Sequence, residues 1–359
     1  MNKSLELRRR TWLGALTSVV VAAGLAACGG GSDDNEGSPS ATAPAAVERI
    51  TVSLSGEQEA PAPIATGAFG NATFDLDRAA STLQGTVTVD GVQATVAHIH
   101  VGVAGTAGAV LFPLTVQGNT ATLASTTLTA AQLADLDAGK YYVNVHSDKN
   151  KTGEIRGQIG REVYRVLLDG AQKPTPVATQ AKGEGLLVLD PKTGILAGEI
   201  ESTGLTVTAA DIRAGAAGAS GAKLFDLQDH GGHGHYEMPA NTKLTAAQMD
   251  NLRAGRWYVN VQSAANPNGE IRGQIARRVI VANATGAQEV PANASTAQAK
   301  GLIAYDPLTR GVQAKLVVSG FNATAAHIHM AAAGVNGPIA LELPSVAGEP
   351  GAWASAADA

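Results

Sequence analysis

From residue 47 onward, apolar residues in this chain fall in short runs and not in long helical stripes. Between residues 48 and 159 the runs are ERITVSLS, ATFDLD, TLQGTVTVD, TVAHIHV, AVLFPLTV, NTATLAS, KYYVNVHS and GEIRGQI. They are rich in Val, Thr and Ile, and turns of Gly, Asn and Asp separate them. Short β-branched runs bounded by turn formers read as strands, at the spacing of a sandwich or barrel. One segment differs: residues 130–137 predict a helix, with Thr129 as N-cap and Gly139 as the C′ residue.

The pattern then repeats. YYVNVHSDKNKTGEIRGQI at 141–159 returns as WYVNVQSAANPNGEIRGQI at 257–275, and LTAAQLADLDAGK at 128–140 returns as LTAAQMDNLRAGR at 244–256. SGEQEAPA (55–62), DGAQKPTP (169–176) and TGAQEVPA (285–292) mark three starts. The expected architecture is all-β: tandem immunoglobulin-like or Greek-key β-sandwich or barrel repeats, each with one short helix. They span 47–161, 162–278 and 279–359, the last incomplete. A truncated reading frame, a short terminal repeat and completion by another chain all account for that.

Upstream of the repeats, Lys3 and Arg8–Arg10 precede the apolar stretch WLGALTSVVVAAGLAA, which is short for a membrane span. It runs into LAAC, which resembles a bacterial lipobox and makes Cys28, the single cysteine, the lipidation site. Residues 1–27 then form a lipoprotein signal peptide; the other reading is a plain signal peptide. Residues 28–46, rich in Gly, Ser, Pro and acidic groups, read as a disordered tether. Gly29 after the cysteine resembles outer-membrane sorting, so an exported, lipid-anchored protein is expected at the outer membrane, on its periplasmic face or the cell surface. RRTWL, Arg9–Leu13, leaves twin-arginine and general export both open.

The 359 residues carry a formal net charge of −5 and only 4% aromatics, with no basic patch or stacking platform, so a nucleic-acid partner is not expected. The partners expected are the membrane, through the lipid, and a protein or envelope component of unknown identity. Nucleophile-elbow, P-loop, CxxC and HExxH motifs do not occur. Flat aromatics for glycan binding are also lacking: Trp12 lies in the signal, Trp257 aligns with Tyr141, and Trp353 stands in the incomplete repeat.

AHIHVG, YYVNVHS and GEIRGQI together make the repeats resemble CHRD domains, the module named after chordin. That resemblance covers almost everything after residue 47 and implies an immunoglobulin-like β-barrel, with no settled activity attached. An H-x-H strand followed by a later V-H strand is also similar to the copper ligands of Cu/Zn superoxide dismutases. The bridging histidine, zinc loop and disulfide of that family are not identifiable, so a dismutase-like oxidoreductase is a distant third reading.

Alternate residues of a strand share a face. His98 and His100 therefore lie with Val96, opposite Ala97, Ile99 and Val101; His146 lies with Tyr142 and Asn144. With the aliphatic faces in the core, all three imidazoles look away from it, and neighbouring strands would gather them into a copper or zinc site. Repeat 2 has Asp211, Arg213 and Gln262 at those positions while keeping VNV and GEIRGQI. Such a joint loss points to one site that the fold does not need; the alternative is an exposed strand face without a ligand. Repeat 3 keeps His327 and His329 as a half-site. Repeat 2 instead carries DHGGHGHYE, whose His230, His233 and His235 read as a weak loop site for copper or zinc, or as a solvated turn. Glu154 and Arg156 recur as Glu270 and Arg272 without the histidines, which favours a structural strand-end ion pair over catalysis. The two functions carried forward are a non-catalytic binding or interaction module, with no cofactor required, and a copper- or zinc-binding envelope protein.

Overall fold

The computed structural model describes residues 47–307 and 309–356; the signal, the tether and Cys28 lie outside the described residues. Repeat 1 contains β1 (Glu48–Ser55), β2 (Phe69–Asp77), β3 (Thr82–Asp90), β4 (Val96–Val101), β5 (Val110–Gln117), β6 (Thr120–Thr127), α1 (Ala130–Asp137), β7 (Tyr141–His146) and β8 (Ile155–Gln158). β2 starts earlier than the ATFDLD run suggests, because Phe69, Gly70 and Asn71 pair with Ser55, Leu54 and Ser53 of β1. The strands close into a barrel in the order β1-β2-β3-β6-β5-β4-β7-β8. Within it, β4, β5 and β6 follow one another while β3 returns beside β6, which is a Greek key.

Alternation decides what fills the barrel. Ile50, Val52 and Leu54 of β1, Ala97 and Ile99 of β4, and Val143 and Val145 of β7 all point into one core. Closure brings β8 against β1, where Ser55 faces Arg156. The approach is tight: a Cβ on Gly157 would lie 2.6 Å from the Ser53 carbonyl oxygen, so this position of GEIRGQI takes glycine. α1 is bounded as its sequence predicts. The Thr129 side chain accepts from the Gln132 N–H while Gln132 accepts from the Thr129 N–H, a reciprocal capping box, and Gly139 follows at φ 68°.

Repeat 2 is built from β9 (Glu162–Asp169), β10 (Lys182–Leu189), β11 (Leu196–Thr203), β12 (Val207–Ala214), β13 (Lys223–Asp226), β14 (Gln228–Asp229), β15 (His235–Glu237), α2 (Ala246–Arg253), β16 (Trp257–Ser263) and β17 (Ile271–Ile275). Its nine strands follow the order β13-β12-β16-β17-β9-β10-β11-β15-β14, an open sheet with the histidine-rich hairpin at one end. Repeat 3 has β18 (Arg278–Thr285), β19 (Gln298–Tyr305), β20 (Val312–Ser319) and β23 (Ala352–Ala354) in one sheet, with β21 (Ala326–His329) and β22 (Ile339–Leu343) as a separate hairpin.

Candidate metal centre

β4 and β7 are direct antiparallel neighbours, with His98 opposite Asn144, His100 opposite Tyr142 and Val96 opposite His146. The two histidines of β4 and the one of β7 therefore share the outer face of the barrel wall, while Ala97, Ile99, Val143 and Val145 are fully buried behind them. One ring nitrogen from each of His98, His100 and His146 lies within 4.8 Å of the others. Metal–imidazole bonds of about 2.0–2.1 Å place nitrogens roughly 3.3–4.2 Å apart around one ion. The three nitrogens are thus gathered close to the spacing that one ion would require.

Backbone carbonyls set the tautomers. His100 Nδ1 lies 3.0 Å from the Gly108 carbonyl and His146 Nδ1 lies 3.0 Å from the Lys151 carbonyl. A carbonyl only accepts, so both Nδ1 atoms carry the proton and both Nε2 atoms present lone pairs. This is the outer-shell arrangement that fixes metal-binding imidazoles. Nε2 of His100 is buried without any hydrogen-bond partner. His146 Nε2 faces His98 Nδ1 at 3.4 Å. Burial pushes all three imidazoles below the usual histidine pKa, which keeps them neutral and ready to ligate.

The outer face is not simply open to water. Residues 102–108 fold over it, and the Gly108 N–H donates to the Tyr142 hydroxyl. His100 stacks on Tyr142 at 4.9 Å between centroids, and the Arg156 guanidinium lies 3.5 Å from the same ring's centroid. Arg156 donates to the carbonyls of Thr106 and Val103 and to Gln158 Oε1, at 2.7, 2.9 and 3.0 Å. It thereby ties down the loop that orients His100. Glu154 accepts from Thr66, Ser147 and Asn150. The expected ion pair between Glu154 and Arg156 is thus replaced by two separate networks: hydroxyls and an amide take the carboxylate, carbonyls the guanidinium.

Glu59 escapes the strand patterns, because it follows the 3-10 turn Gly56–Gln58. Its carboxylate is buried; Oε2 accepts weakly from Asn144 Nδ2 at 3.4 Å, and Oε1 has no partner. Burial raises its pKa to about 7. The equivalent in repeat 2 is Lys173, whose ammonium donates to Asn260 and feels the charges of Arg213 and Asp211. That places this position beside the three site positions. Glu59 and Glu289 occur in the repeats with HIH, and Lys173 in the repeat without it. This alternation was readable in the sequence and is the signal for Glu59.

Repeat 2 fills the same space with protein. Asp211 receives Arg213 through two bonds of 2.7 and 2.8 Å, and Gln262 through a third of 2.9 Å. Asp211 is buried at 2% exposure, at the centre of a closed network. The framework around it is unchanged: Arg272 donates to Ala216, Ala219 and Gln274 and lies over Tyr258. In repeat 3, His329 Nδ1 again meets a carbonyl, that of Gly337 at 2.8 Å, but His327 Nε2 pairs with Glu342 at 3.0 Å. In the repeat 2 hairpin, His235 groups with Glu199 and Glu237. His233, at φ 60° on the tip, is not among the grouped donors, because strand pairing begins only at His235.

Comparison with known families finds the CHRD domain three times over, at residues 50–159, 164–275 and 280–358. No curated protein and no solved structure matches the chain.

Proposed function

The chain belongs to the CHRD-domain family, and from that premise we propose that it is an exported envelope protein whose first repeat binds a transition-metal ion. His98, His100 and His146 supply the ligands through one ring nitrogen each. Copper is favoured over zinc, since imidazole donors bind Cu(II) above Zn(II) in the general order of affinities. Lipidated Cys28 attaches the protein to the membrane, and the tether over 28–46 spaces the repeats from it. The repeats act as binding modules, with the ion held and oriented by the barrel wall and not consumed in a reaction.

One observation carries this reading. Where the three imidazoles converge in repeat 1, repeat 2 closes the same space with hydrogen-bonded Asp211, Arg213 and Gln262. The space has two solutions, internal bonding or ligand donors, and repeat 1 has the donors. Metal analysis of the full chain equilibrated with Cu(II) or Zn(II) tests it. About one ion at this site, absent from a His98→Ala/His100→Ala variant, is expected; binding that the double substitution leaves unchanged would overturn the reading.

A further inference from the structure

Repeat 2 contains a second gathering of donors, on the β11–β15 ladder and with different chemistry. Glu199 of β11 lies directly opposite Glu237 of β15, and Glu201 opposite His235. His235 and Glu237 share a face as alternate residues. His235 Nε2 lies 3.0 Å from Glu199 Oε2 and 3.9 Å from Glu237 Oε1, and His230 Nδ1 lies 3.3 Å from Glu237 Oε2. Ligand atoms of Glu199, His235 and Glu237 fall within 4.8 Å of one another, and the His230 ring sits edge-on to His235 at 5.4 Å between centroids.

Like charges placed directly across a ladder repel. The ion-pair partners of Glu199 and Glu237 are the imidazoles of His230 and His235, and Glu201, opposite His235, adds a third carboxylate to the same face. A cation between the carboxylates removes the repulsion and uses the imidazole lone pairs. The barrel of repeat 1 shows how deliberate the change is. There β3 and β6 pair Thr86 with Thr122 and Thr88 with Thr120, the ladder positions that hold Glu199 with Glu237 and Glu201 with His235 in repeat 2. Three carboxylates and one imidazole thus arrive together on ladder positions that hold threonine in repeat 1, beside the hairpin that brings His230.

We propose that Glu199, Glu237, His235 and His230 form a second divalent-metal site, of the zinc class, independent of the three-histidine site in repeat 1. Two imidazole nitrogens and two carboxylate oxygens make a tetrahedral donor set suited to Zn(II) and harder than three imidazoles. The ion would pin the hairpin tip to β11.

Zinc binding by the full chain, measured by calorimetric titration and metal analysis with Zn(II) alone, separates the two sites. The His98→Ala/His100→Ala variant retains one zinc equivalent, and adding Glu199→Thr and His235→Thr removes it. These threonines copy the ladder of repeat 1, and matching zinc-free circular dichroism shows that the fold persists; if it does not match, Glu237→Thr with His230→Ala replaces them. Absence of zinc from the His98→Ala/His100→Ala protein, or zinc retained after the ladder is rewritten, overturns the proposal. One equivalent in wild type that survives His98→Ala/His100→Ala and vanishes with the threonines supports it even if repeat 1 binds nothing.

Discussion

Nδ1 of His98 lies 3.4 Å from Nε2 of His146, across the β4–β7 ladder and 48 residues along the chain. His146 Nδ1 already donates to the Lys151 carbonyl, so its Nε2 has only a lone pair to offer. A neutral His98 with its proton on Nδ1 donates to that lone pair, whereas a metal ion would take up lone pairs from all three rings. Burial keeps the imidazoles neutral, which leaves those lone pairs available to a cation.

The first prediction concerns pH. Burial depresses the folded-state pKa of His98, His100 and His146 below the 6.5 of a free imidazole. Below 6.5 the unfolded chain takes up protons before the folded one. The stability that these groups contribute is therefore complete above 6.5 and is lost as pH falls from there through the folded values. Thermal denaturation of metal-free protein between about pH 8 and 5 should show this decline, and the His98→Ala/His100→Ala/His146→Ala variant should show a flatter one. Copper affinity should fall over the same interval, since each ligand must lose its proton to bind.

Glu59 predicts the opposite slope. Its folded pKa, raised to about 7 from 4.5, means that the folded chain holds the proton longer than the unfolded one. Stability from this group is full below 4.5 and falls as pH rises through about 7. The loss is of order 3 kcal/mol once the carboxylate is ionised, at about 1.4 kcal/mol per pKa unit. Denaturant titrations of Glu59→Gln should lose that dependence, and the variant should be more stable than wild type at about pH 8 in metal-free buffer.

Much of this was visible in the sequence, for identifiable reasons. Strand alternation put His98 and His100 on one face because period two is local. The Thr129–Gln132 box and Gly139 bounded α1 because capping is local too. The adjacency of β4 and β7 is not local: the Greek key decides it, and only the joint loss of three histidines in repeat 2 hinted at it. Glu59 acts through burial beside residues far away in the chain. The same-face spacing of Glu154 and Arg156 suggested an ion pair, but their partners come from loops whose path strand patterns do not specify.

Arg156 gives the third prediction. It is 1% exposed, holds two loop carbonyls and Gln158, and lies over Tyr142. Burial lowers its pKa to about 10, so it remains charged at neutral pH. Arg156→Ala strands these acceptors and frees the loop that supplies Gly108 to His100. It should cost about 3–5 kcal/mol by denaturant unfolding. Arg156→Lys should recover less than half of that, since an ammonium cannot reproduce the fork over the ring. Arg272→Ala in repeat 2 should show a comparable cost without altering copper content.

The last prediction builds the centre where it does not occur. Repeat 2 presents the same strand neighbours as repeat 1, with Asp211 opposite Asn260 just as His98 is opposite Asn144. Ala214 and Gly221 mirror the backbone around His100, and the Tyr258 hydroxyl accepts from the Gly221 N–H as Tyr142 accepts from Gly108. At these positions the strand pairing is shared and the side chains differ. Substituting Asp211→His, Arg213→His and Gln262→His removes the network that fills the space, and Lys173→Glu replaces a half-buried ammonium that would repel a cation. The fourfold variant should bind one Cu(II) equivalent more than wild type by metal analysis, while the version retaining Lys173 should bind it more weakly. Charge explains the difference: two like charges about 6 Å apart at an effective dielectric of 20 repel by roughly 3 kcal/mol per unit pair, and a divalent ion doubles that before solvent screening. A folded variant with four substitutions and no added copper would show that the three side chains alone do not make the centre.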